Sequence, residues 1–141
     1  MRLRLHSVFI SDLDHALAFY TDVLGFVKKQ DIQLPDQAGR FLTVVGADDP
    51  DGIELMLEPN GEHEPTKVYK AALFEEGIPL VAFEVDDITA VHSRLVERGV
   101  VFRTAPERLG TQSVAVFDDT CGNWIMIYQT FGPPTAEGNA G

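Results

Sequence analysis

The chain has 141 residues, 45% of them hydrophobic, which suits one compact domain or two small similar halves around a real core. Its 22 acidic residues outnumber 11 Lys and Arg, and the formal charge of −11 repels phosphate backbones, so nucleic acid is excluded as a partner. No apolar run is long enough to span a bilayer and no signal peptide is readable, while the single cysteine, Cys121, excludes an intrachain disulfide and fits a reducing, cytoplasmic setting.

In chain order, a short β-like run, "LRLHSVF" (3–9), leads to an acidic helix start. Ser11 or Asp12 can cap that helix, because a short side-chain oxygen accepts from the free amides of the opening turn. Leu13, Leu17, Tyr20 and Leu24 then share one face, and Gly25 ends the helix. Three strands follow, "FVKKQDI" (26–32), "RFLTVVG" (40–46) and "IELMLE" (53–58). "PTKVYKAALFEEG" (65–77) reads as a short linker helix with Val68, Tyr69, Ala72 and Leu73 on one side.

The second half repeats this grammar. A strand-like run ends in "FEVDD", Asp86 or Asp87 caps a helix striped by Ile88, Val91 and Leu95, and Gly99 stops it. Then come "VVFRTA" (100–105), "SVAVFD" (113–118) and "NWIMIYQ" (123–129). Asp12 to Gly25 and Asp86 to Gly99 are both 13 residues apart, so an internal duplication of roughly 70–75 residues is the simplest account. Each half is β-α-β-β-β. Residues 132–141, "GPPTAEGNAG", read as a flexible tail.

The stretches "SDLDHALAFYTDVLGF" (11–26) and "VFDDTCGNWIMIYQ" (116–129) resemble the vicinal oxygen chelate family of glyoxalases, bleomycin-resistance proteins and extradiol dioxygenases. The motifs concerned are the strand–Asp–helix–FYxxxLGF opening and the F-x-D-x-x-G-N-x-I closing strand. The resemblance implies an α+β fold of two paired βαβββ modules whose curled mixed sheets form a cleft, often completed across a homodimer. It maps a single domain onto residues 1–131, with module 1 at about 3–60, the linker helix at about 65–77 and module 2 at about 79–130. The family spans isomerases, dioxygenases and non-catalytic drug binders, so fold alone does not choose the activity.

Metal-dependent members carry four ligands, on the first and last strand of each module. Matched at Asp12 and Ile10, those positions are Leu5, Glu54, Leu80 and Met126 in this chain. His6 is one residue out of step, and a one-residue offset in a strand turns a side chain to the other face unless a bulge intervenes. Leucine offers no lone pair and a thioether is a soft ligand, so a lone Glu54 leaves no resident metal and no cofactor expected. His15 and His92 on helices and His63 in a polar loop read as surface residues. Glu62, His63 and Glu64 make only a weak alternative cluster.

Alternation then predicts a cleft lined by Leu5, Ser7, Phe9, Glu54, Met56, Leu80, Trp124, Met126 and Tyr128, with Glu58, Ala82 and Glu84 on the same sides. That surface suits an aromatic or cationic organic molecule, Trp124 and Tyr128 stacking and Glu54 supplying charge. The structural readings are core filling by Trp124 and the methionines and an ion pair of Glu54 with Arg40. Cys121, beside Asp118 and Asp119, is not placed for nucleophilic work. The expectation is a metal-free small-molecule binder with no catalytic residues, in a homodimer of the antibiotic-sequestering kind. The alternatives are a metal-dependent glyoxalase-like lyase or dioxygenase with a non-standard site, and a dimeric interaction module with an empty cleft.

Overall fold

The computed structural model describes residues 1–35 and 39–132. The predicted tail from residue 133 onward lies outside the described residues. The chain forms two compact units, one of Met1–Ile78 with Asp119–Asn123, the other of Pro79–Asp118 with Trp124 onward.

The first unit contains β1 (Leu5–Phe9), α1 (Leu13–Ala18), β2 (Val27–Gln33), β3 (Arg40–Val45), β4 (Glu54–Glu58) and α2 (Glu64–Glu76). The second contains β5 (Pro79–Glu84), α3 (Ile88–Glu97), β6 (Phe102–Leu109), β7 (Gln112–Asp118) and β8 (Trp124–Thr130). Sheet orders are β1-β4-β3-β2 and β5-β8-β7-β6. In each, the first strand runs parallel to the last and the other neighbours are antiparallel. Both halves are therefore the expected βαβββ module.

Period-two alternation decides which face of each sheet is core. Val8, Leu42, Val44, Leu55 and Leu57 are buried in the first unit, and Ala115, Phe117, Ile125 and Ile127 in the second. Each contributes about 2 kcal/mol of apolar burial for a large side chain, and less for alanine. Asp12 and Asp87 are the helix caps, accepting from the amides of His15 and Ala90. Ala16 lies on the buried side of α1, and Ile88 and Leu95 on that of α3.

Two helices depart from the sequence reading. After Ala18 the first helix passes into a π turn, Phe19–Val23, with the Leu24 amide donating to Phe19 O at 3.0 Å. Such a turn adds a residue to the hydrogen-bonded ring. Tyr20, inside it, is fully buried and donates its hydroxyl to Asp119 Oδ2 at 2.8 Å. In α2 the predicted apolar side faces outward, with Val68 61% and Tyr69 50% exposed. The buried residue is Lys70, whose Nζ donates to Phe9 O (2.8 Å) and Cys121 O (2.7 Å). Gly77 ends α2 at φ 73°, and the amides of Gly77 and Ile78 cap the carbonyls of Phe74 and Leu73.

Asp119 is the hub of the Asp119–Asn123 turn. Its Oδ1 accepts from the amides of Cys121 (2.8 Å) and Asn123 (3.0 Å), and its Oδ2 from Tyr20 and from Asn123 Nδ2 (2.9 Å). Burial raises its pKa from the ordinary aspartate value, against the lowering effect of those four donors. The Tyr20 hydroxyl is raised too, first by burial and then by the Asp119 charge. The "FDDTCGN" signature is thus a structural turn.

Candidate functional site

In the first unit, Val8, Leu55 and Leu57 point into the core, so their strand neighbours emerge on the opposite face. Ser7, Phe9, Glu54, Met56 and Glu58 are half-buried there, and Leu5 is exposed. The parallel register pairs Leu5 with Glu54, Ser7 with Met56 and Phe9 with Glu58. His6 pairs with Leu55 on the other side of the strand, one step away from Glu54, and is exposed.

Glu54 is held from within its own sheet. Its Oε1 accepts from Gln30 Nε2 and from Thr43 Oγ1, both at 2.7 Å. The Gln30 bond, then the Thr43 bond, lowers its pKa, with a smaller contribution from Lys29, so Glu54 is a carboxylate at neutral pH. Arg40 is not its partner. That guanidinium binds Asp31 through two nitrogens (2.7 and 2.9 Å) and Asp14 through the third (2.8 Å). Sequence reasoning passed over Gln30 and Thr43, although Thr43 is the polar residue between Leu42 and Val44 and alternation alone puts it on the Glu54 side.

In the second unit the buried Ile125 and Ile127 leave Trp124, Met126 and Tyr128 on the opposite face of β8. Ala82 pairs with Met126 and Glu84 with Tyr128. Leu80 falls in the irregular step between Pro79 and Val81, so Ala82, not Leu80, is the strand neighbour of Met126. Trp124 carries the guanidinium of Arg103, 5.5 Å from its ring centroid. Arg103 stands outside the sequence-predicted lining, which is drawn from the first and last strand of each module. Alternation with Phe102 in "VVFRTA" places it on this face. The predicted site residues thus form two groups, Leu5, Ser7, Phe9, Glu54 and Met56 on one sheet and Leu80, Trp124, Met126 and Tyr128 on the other.

The donor set does not suit the metal that the fold resemblance implies. Of the four equivalent positions only Glu54 carries a hard donor, and its Oε1 already accepts two hydrogen bonds. Among the described residues no group of three or more His, Cys, Asp or Glu side chains stands where it could hold a metal ion, the Glu62–Glu64 stretch included. His92 is half-buried, not a surface residue, and packs edge-on against Phe102 with ring centroids 4.5 Å apart. His15 Nε2 lies 2.8 Å from Thr120 Oγ1. No helix among the described residues is long and apolar enough to cross a membrane.

The repeated modules, with an open polar–aromatic face on each sheet, define a two-module α+β protein of the glyoxalase/bleomycin-resistance fold. The chain belongs to the Glyoxalase/Bleomycin resistance protein/Dioxygenase superfamily, whose family model matches residues 3–127. It is 49% identical over 129 residues to the uncharacterized protein YurT of Bacillus subtilis (strain 168), covering 92% of this chain and 99% of YurT. Among solved structures it is similar to UcmS2, with a TM-score of 0.77 and 30% identity over 91% of this chain and 97% of that one. It is also similar to TnmS3, an antibiotic binding protein from Streptomyces sp. CB03234, with a TM-score of 0.69 and 26% identity over 92% and 96% of the two chains.

Proposed function

We propose that this chain is a small-molecule binding protein that takes an aromatic organic ligand on the open faces of its sheets, with no resident metal. The observation that carries the reading is the state of Glu54. It is the one hard donor at the four positions where metal-dependent relatives chelate, and Gln30 and Thr43 hold it as a fixed carboxylate. Such a group recognises a ligand N–H or cation on the sheet of the first unit, where Phe9 offers a ring, and on the sheet of the second unit Trp124 and Tyr128 offer ring faces. The likeness to the antibiotic binding protein TnmS3 supports sequestration of a small organic molecule as the role. A homodimer in a reducing, cytoplasmic setting completes the reading. The second reading is a metal-dependent lyase or dioxygenase, favoured by Glu54 occupying a family ligand position.

Trp124 is the only tryptophan, so ¹⁵N-labelled protein gives one indole cross-peak. Titration with 2-naphthamide should move that peak saturably and equally before and after dialysis against EDTA. Glu54→Gln should weaken 2-naphthylmethylammonium about three- to tenfold in a calorimetric titration. The fold should survive, since a glutamine oxygen still accepts from Gln30 and Thr43. Absence of any saturable shift refutes the binding reading. Binding lost in EDTA and restored by Ni²⁺ or Mn²⁺ would establish the metal-dependent one.

A further inference from the structure

We infer that Arg103 is a specificity residue that selects aromatic ligands bearing an acidic oxygen, a carboxylate or phenolate, placed beside Trp124. The inference rests on the binding reading above and adds the chemistry of one end of the ligand.

Strand β6 sets up the arrangement. Phe102 pairs with Phe117 and packs against that ring and His92, which fixes it on the buried side. Arg103 lies on the other side, shown by its contact with Trp124, whose strand neighbour Ile125 is the buried one. It sits where the β6–β7 register slips between Phe102 and Thr104, the kind of irregularity that re-aims a side chain. Its guanidinium comes to rest 5.5 Å from the centroid of Trp124, within cation–π range.

What distinguishes Arg103 from the other stacked or paired arginines is what its nitrogens do. Arg40 is consumed by Asp31 and Asp14. Arg108 stacks on Phe131 and also donates to Gly110 O. Arg103 makes no ion pair and no side-chain hydrogen bond among the described residues. A guanidinium carries five N–H donors in one plane, a fork that matches a carboxylate.

Stacking leaves that fork free to act. It orders the side chain over a ring that a flat ligand would also contact. A cationic ligand seeking Trp124 would have to displace a resident cation, whereas an aromatic acid gains from it. Elsewhere the same face opposes anions, because Glu84 and Asp118 are the strand neighbours of Tyr128 and Trp124 and the chain carries −11 overall. An acidic group is thus tolerated only at the arginine, which makes Arg103 both an attraction and an address.

The test uses three probes on one naphthalene scaffold, the isosteric pair 2-naphthoate and 2-naphthamide and the cationic 2-naphthylmethylammonium, on the intact protein with the Trp124 indole peak as readout. In the wild type, naphthoate should bind about fivefold more tightly than naphthamide, the scale of one exposed charge-assisted contact. Arg103→Gln should bring that ratio to about one or below, and should tighten the ammonium probe relative to the amide. Arg103→Lys should retain only part of the acid preference. If the amide binds but the acid has no advantage, or if Arg103→Gln leaves the ratio unchanged, the inference is overturned while the binding reading stands. If no probe moves the peak, both fall.

Discussion

The sharpest prediction concerns the buried bond between Tyr20 and Asp119, 99 residues apart in sequence. Removing Asp119 by substitution to alanine strips acceptors from four donors. Cys121 is only half-buried, so water can replace its lost partner, and Asn123 Nδ2 keeps a second acceptor in Phe9 O at 3.3 Å. That leaves the Tyr20 hydroxyl and the Asn123 amide stranded, at about 1–3 kcal/mol each, or about 4 kcal/mol together. Tyr20→Phe alone should cost less, about 1.5 kcal/mol, because Asp119 retains three donors. In the Asp119→Ala background the same change removes a stranded hydroxyl and should restore about 1 kcal/mol. The expected coupling in the double-mutant cycle is therefore about 2–3 kcal/mol. Urea unfolding followed by far-ultraviolet circular dichroism measures it, with Trp124 fluorescence as the check that one transition is seen. Asp119→Asn, which keeps an acceptor for the two amides, provides a milder partner mutation for a second cycle. Additivity within about 0.5 kcal/mol in both cycles would refute the hub.

Two further outcomes follow from the same structure. Lys70→Met keeps the stem but takes the ammonium from two carbonyls, leaving Phe9 O with Asn123 Nδ2 alone and Cys121 O without that donor, and should lower stability by about 1.5 kcal/mol in the same assay. An unchanged midpoint would mean that Lys70 is dispensable and the inward face of α2 is misread. The Arg40 guanidinium pushes the Asp31 carboxyl down to about 2. A depressed folded-state pKa stabilises the fold above the unfolded aspartate value of about 3.9, and that contribution is lost as pH falls from there toward about 2. The gap between wild type and Asp31→Asn should therefore be constant above about pH 5 and close as pH falls toward 2. A gap that persists at the lowest pH would contradict the pairing.

Much of this was legible residue by residue. The caps at Asp12 and Asp87, the duplicated βαβββ order and the side of the strand taken by Glu54 all follow from local rules. A short acidic side chain satisfies opening amides, and a strand with one buried face must alternate. The same rule put His6 on the face away from Glu54, and register agrees. Other features required partners distant in sequence. The apolar side of α2 points outward because what its inner face meets is two carbonyls, which need the Lys70 ammonium rather than Val68 or Tyr69. The π turn at Phe19–Val23 interrupts a helix whose periodicity alone reads as regular to Leu24, and it holds the Tyr20 hydroxyl that meets Asp119.

The amino-acid order by itself determined the two-module fold and the near absence of hard metal donors, because period and chemical type are written in each strand without reference to any other. Only the tertiary structure decided what the surviving polar groups do. Glu54 is a fixed acceptor because Thr43 reaches it from the adjacent β3 and Gln30 from β2 beyond, and Trp124 bears a cation because β6 carries Arg103 over its ring. The reason is physical: burial of an apolar face depends on which residues alternate, but the partner of a charge depends on distances that exist only once the sheet has closed.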